Sequence, residues 1–113
     1  MYNFDFLKNE ELVQIFEDVW IAQGENGKNT TIALTNQRLL FLDYDNNDPR
    51  ENLRISGKLN YIRYKEVYYM INLESVKSIT NNDTYIINLI DGRNIEFDNE
   101  ELYHLIKMQK KKS

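Results

Sequence analysis

The chain has 113 residues, 42% hydrophobic and 28% charged, a balance that fits one globular domain with one core and excludes global disorder. It has no cysteine, which removes disulfides, thiolate metal sites and thiol nucleophiles together. A net charge of -4 and a pI near 5.0 argue against nonspecific nucleic-acid binding, which relies on a basic surface to neutralise phosphates.

No stretch reaches the roughly 18 consecutive apolar residues of a membrane-spanning helix. The first residues, from Met1 to Phe6, lack the basic and apolar regions of a signal peptide, so the expected location is cytoplasmic. There is no internal repeat and no Gly/Ser/Pro-rich linker, so residues 1–113 are expected to be a single domain with its core at about 10–110 and a lysine-rich tail at 107–113.

The first ordered segment, from Leu12 to Ala22, reads two ways. Leu12, Ile15, Phe16, Val19 and Trp20 fit a helix face, while Val13, Ile15, Val19 and Ile21 fit a strand face. Its β-branched and aromatic content and the turn residues from Gly24 to Gly27 favour a strand entering a hairpin.

Thr30 to Thr35 and Arg38 to Asp43 read as strands joined by Asn36-Gln37, with Asn36 suited to a left-handed turn. Pairing Thr35 with Arg38 sets Leu34 against Leu39 and Ile32 against Phe41 on one face. Leu40 and Leu42 then lie on the other face, so this strand is apolar on both sides.

From Asp43 to about Leu59 the chain is polar and turn-rich, with Asp45, Asn46, Asn47, Asp48 and Pro49, and reads as a long loop. Its oxygen-bearing side chains resemble the start of an EF-hand. Asp48 stands where the sharp turn needs glycine and Arg54 where the bidentate glutamate belongs, so no metal site is expected. Tyr61 to Leu73 and Val76 to Thr80 read as further strands, broken near Glu74-Ser75.

In the hairpin from Tyr85 to Phe97, a plain two-residue Asp91-Gly92 turn would place Asn88 opposite Ile95, putting an amide into the apolar face. A type I turn over Ile90-Asp91 with Gly92 left-handed in a bulge instead pairs Leu89 with Arg93, Ile87 with Ile95 and Tyr85 with Phe97. The last element reads as a helix. Asp98 is its expected N-cap, Glu101 completes a capping-box-like pair, and Phe97 and Leu102 are placed for a hydrophobic staple. Leu102, Leu105 and Ile106 form its apolar stripe, and its acidic start and lysine-rich end match the helix dipole.

The run from Ala33 to Asp43, with Thr35-Asn36-Gln37-Arg38 at its turn, resembles the Leu-Thr-Asn-x-Arg-Leu hairpin of bacterial pleckstrin-homology-like and GRAM-related domains. Ile71 to Ile79 and the Asp91-Gly92 hairpin are similar to later strands of that family. The resemblance spans residues 10–110 and implies a mainly β fold: a strongly bent antiparallel sheet or barrel of about seven strands, capped by one C-terminal α-helix. It assigns Leu12 to Ala22 to a first strand. It further implies a noncatalytic binding or assembly module without cofactor, with homo-oligomers among its bacterial members.

The residues are consistent with the absence of catalysis. His104, the single histidine, projects from the helix face opposite the apolar stripe, and no nucleophile motif is present. A closed barrel buries one sheet face, so Leu40 and Leu42 are expected either to meet a protein partner or second copy, or to be covered from within the chain. Phosphoinositide binding, the activity most often associated with eukaryotic PH domains through basic residues around the first hairpin loop, finds only Lys28 there, with Glu25 in the same loop. Arg63 and Lys65, interleaved with tyrosines, and Lys110 and Lys111 in the tail offer an alternative contact with anionic lipid headgroups. Trp20 and the tyrosines from Tyr61 to Tyr69 suit core and rim packing better than base stacking, given the acidic net charge.

Overall fold

The structure, a computed structural model, describes residues 7–43 and 66–112. Seven antiparallel strands are followed by one helix: β1 Leu12–Gln23, β2 Asn26–Thr35, β3 Arg38–Asp43, β4 Glu66–Asn72, β5 Val76–Asn82, β6 Thr84–Leu89, β7 Asn94–Phe97 and α1 Glu100–Lys112. A 3-10 turn, Leu73–Ser75, joins β4 to β5. The sheet order is β4-β3-β2-β1-β7-β6-β5, so among the described residues strands consecutive in sequence, β4 and β5, form its two edges. The sheet curls, and the Ile90 N–H donates to Ser75 O at 3.0 Å near that turn.

Strand β1 joins the two halves. It pairs along its length with β2, and at Ile21 and Ala22 it also pairs with Phe97 and Glu96 of β7. Between Phe16, opposite Ile32, and Val19, opposite Thr30, two residues face one, and Asp18 takes φ 56°. This bulge bends the strand and resets its alternation. Phe16, Val19 and Ala22, all buried, are therefore three apart, the spacing that imitates a helix.

The main core lies inside the curl. Phe16, Ile32, Leu34, Leu39, Phe41, Ile71, Ile87, Ile95 and Phe97 pack against Leu102 and Ile106 of α1. Tyr103 stacks on Tyr85 at 4.6 Å between ring centroids, and Tyr85 lies 5.5 Å from Phe97, extending the helix contact along β6 and β7. A second cluster, Ala33, Leu40, Leu42 and Val67 with Leu12 and Ile15, occupies the opposite face of β1 to β4.

The expected registers hold. Leu34 faces Leu39 and Ile32 faces Phe41. Ile87 faces Ile95 and Tyr85 faces Phe97, with Gly92 at φ 92° closing the bulge through hydrogen bonds between Leu89 and both Gly92 and Arg93. Two turn details differ. Neither Asn36 nor Gln37 takes positive φ. The turn is closed instead by Thr35, whose Oγ1 accepts the N–H groups of Gln37 at 3.1 Å and Arg38 at 2.9 Å. The helix cap lies one residue later than expected: Asn99 Oδ1 accepts the Leu102 N–H at 2.8 Å. Asp98 accepts the Trp20 N–H at 3.0 Å instead, tying β1 to the start of α1.

Candidate functional site

The C-terminal turns of α1 lie beside the edge strand β5. Val76 is buried, Ile79 is half-buried and Lys77 and Ser78 are exposed, a spacing of three that goes with the register shift between Val76 and Ser78 in the β5–β6 ladder. On the helix, Lys107, Lys110 and Lys111 recur at spacings of three and four and so share a face, near the end where the helix dipole favours cations. Strand and helix enclose a cleft of about 180 Å3 with Val76 and Ile79 as its floor and Lys77, Lys107, Lys110 and Lys111 around it. Lys107 Nζ donates to the Tyr103 hydroxyl at 3.4 Å and lies 5.0 Å from its ring centroid, so this rim is tied to the aromatic stack. Desolvation, reinforced by the charge of Glu100 and by Tyr103, pushes the pKa of the Tyr85 phenol upward.

A second cleft, of about 290 Å3, opens at the turn between β1 and β2. Gln23 pairs with Asn26, and Gly24 at φ 63° allows the tight Gly24-Glu25 connection. Gly27 is required by packing: a Cβ there would lie 2.9 Å from Trp20 Nε1. Tyr68, Tyr69, Phe41, Ile21 and Ile95 supply most of the apolar lining, and Lys28 holds its ammonium 3.9 Å from the Tyr68 ring centroid. Tyr68 also shares a 2.9 Å hydrogen bond with Thr30. The cleft is aromatic with one lysine, not a cluster of cations.

No family model and no curated protein matches the chain. Among solved structures, the Vps36 N-terminal PH domain superposes with a TM-score of 0.62 over 95% of this chain and 83% of that one, at 11% identity. The fold is that of a pleckstrin-homology domain.

Within this PH fold the residues expected to bind partners are distributed unevenly. Leu40 and Leu42, expected to face a partner or to be covered from within, are both 0% exposed and sit in the second cluster. On that face they pack with Ala33, Val67, Leu12 and Ile15. Their burial is the arrangement in which the chain itself covers them, and neither presents an exposed side chain in this protomer. Arg63 and Lys65 lie outside the described residues, as does the Asp45-to-Asp48 run. Lys110 and Lys111 share one rim with Lys107 and, from β5, Lys77.

Lys77, Val76 and Ile79 were missed as site residues by sequence reasoning, because Val76 and Ile79 are three apart and share a side only through the register shift between Val76 and Ser78. What sequence did not supply was the neighbour, a helix starting 24 positions after Val76. His104 is exposed, with Nε2 3.6 Å from Glu100 Oε1 one turn away. Among the described residues no group of three or more histidine or acidic side chains is arranged to hold a metal, and no helix is long and apolar enough to cross a membrane.

Proposed function

We propose that this PH-like domain is a noncatalytic binding module that acts through protein contacts, including self-association. The observation that carries the reading is β5, an edge strand among the described residues, next to a recessed apolar floor and a lysine rim. Sheet edges present unpaired backbone groups, and a cleft beside one adds side-chain selectivity to an otherwise generic hydrogen-bonding surface. The hairpin at Thr35 to Arg38 supports kinship with the bacterial PH-like domains, for which assembly through strand edges is a known use of the scaffold. Light scattering during size-exclusion chromatography tests self-association: a mass that rises with concentration supports it, and a constant monomer mass at high concentration removes it.

A peripheral membrane module is the second reading, favoured by the gathering of Lys110 and Lys111 with Lys77 and Lys107. Each lysine near an anionic surface contributes about 1 kcal/mol. Cosedimentation with anionic and with neutral vesicles decides it, because equal recovery from both leaves the lysines without a lipid role.

A further inference from the structure

We infer that the protein forms a twofold dimer through the corner where the β6–β7 turn meets β4, each copy setting Ile90 into a cleft of the other. The inference rests on the self-association reading above and assigns it a surface and a symmetry.

Among the described residues four large apolar side chains are exposed, and two of them, Ile90 at 68% and Met70 at 40%, line one cleft. It measures about 330 Å3, and Tyr69, Ile71 and Leu89 supply the rest of its apolar wall, leaving room for a branched aliphatic side chain. Turns favour Gly, Asn, Asp and Ser, and an isoleucine there leaves apolar surface in water. This one is also held in place. The Ile90 N–H donates to Ser75 O at 3.0 Å, the Gly92 N–H to Leu89 O at 3.0 Å, and Arg93 Nε to Asp91 Oδ2 at 2.7 Å. The Arg93 guanidinium lies 5.9 Å from the Tyr69 ring centroid, which ties the turn to β4. A side chain fixed in this way before docking loses little freedom on docking.

The occupant follows because the patch is its own complement. An isologous interface uses the same surface on both copies, so that surface must supply a recess for every projection and a base for every acid. This corner carries the projecting Ile90 beside the recess, and Asp91 beside Arg93, with 52% and 58% of their side chains exposed. A twofold axis at the turn sets Asp91 against the partner's Arg93 and the reverse, while each Ile90 enters the opposite cleft against the partner's Met70. A guanidinium has five N–H donors, so Arg93 can keep its bond to Asp91 and accept a second carboxylate. The patch is neutral within itself, and two copies of a chain of net charge -4 can meet there without setting like charges together. A foreign partner would have to bring each of these complements, whereas a second copy brings them by symmetry.

The test is light scattering during size-exclusion chromatography of the full chain across concentration, for wild type, Ile90→Glu and, as a control at an exposed apolar side chain outside the cleft, Met108→Glu. The mass is expected to rise from 13.6 kDa and level at twice that value. Ile90→Glu is expected to raise the midpoint concentration about tenfold or more, and Met108→Glu to leave it unmoved. Circular dichroism melts verify that the variants are folded. A second arm keeps Ile90 intact. Asp91→Lys and Arg93→Glu each set like charges across the axis and dimerise weakly alone, while their equimolar mixture recovers the dimer because opposite charges then meet at both contacts. Self-association that survives Ile90→Glu, that continues past two copies or that the mixture does not recover overturns the inference and leaves the self-association reading standing. A constant monomer mass for wild type overturns both.

Discussion

Arg38 and Glu10 form a two-pronged buried ion pair, with Arg38 Nε 2.8 Å from Glu10 Oε2 and Nη2 2.9 Å from Oε1. Thr35 donates its hydroxyl to the same carboxylate at 2.6 Å while accepting the two turn N–H groups, and the Leu7 N–H donates to Oε1 at 2.8 Å. Asn36 and Gln37 complete the clasp by hydrogen bonding to the backbone of Asn9, Glu11 and Lys8. The threonine, asparagine and arginine of this hairpin thus fasten the segment before β1 to the turn between β2 and β3.

Breaking that pair leaves a buried charge uncompensated, so Arg38→Ala is expected to cost about 3–5 kcal/mol in urea unfolding. Replacing both partners, as in Glu10→Leu/Arg38→Met, is expected to cost less than Arg38→Ala alone, because no lone charge remains.

The same carboxylate gives a pH dependence of known sign. Burial alone would raise the Glu10 pKa, but the hydrogen bonds from Arg38, Thr35 and Leu7 outweigh it and hold it below its ordinary value. The folded state therefore binds this proton less readily than the unfolded chain. Its contribution is fully present above the ordinary glutamate range and is lost as pH falls through the folded-state pKa. Acid unfolding of wild type and Glu10→Gln checks this: the gap in stability between them is expected to narrow as pH falls through that range.

Leu40 and Leu42 are expected to act on folding and not on assembly. Leu40→Ala and Leu42→Ala each remove a fully buried side chain and are expected to cost about 2–5 kcal/mol, measured by urea denaturation.

Thr31 points to a stabilising change. Its Oγ1 is buried without a hydrogen-bond partner, and it lies opposite Leu42 in the β2–β3 ladder. Thr31→Val keeps the shape and removes the unsatisfied hydroxyl, so stability is expected to rise by about 1 kcal/mol, read from the shift of the thermal midpoint.

At the helix start, Asn99→Ala is expected to cost about 1 kcal/mol through loss of the cap. Asp98→Ala acts elsewhere, on the Trp20 N–H, and its signature is a change in tryptophan fluorescence without loss of helical signal.

Most of the strand order was legible because the hydrophobic alternation is regular wherever the ladder is regular, as from Leu34 through Phe41 and from Tyr85 through Phe97. It was ambiguous in β1 because the bulge at Glu17-Asp18 inserts one extra residue, and a period-two pattern with one insertion matches a helix over a short window. The cap was misplaced by one because Asp98 and Asn99 are both competent capping residues, and the choice depends on Trp20, 78 positions before Asp98. The fate of Leu40 and Leu42 was undecidable for a similar reason: two apolar faces announce two contacts without saying whether the second is made within the chain. The groove was only half visible, since Lys110 and Lys111 were noted but their partners from β5 come together with them only through the fold.

Light scattering during size-exclusion chromatography of the full chain over a range of concentrations tests the central claim, binding through protein contacts including self-association, most directly. A mass that rises with concentration is predicted, and a monomer mass that stays constant up to high concentration would contradict it.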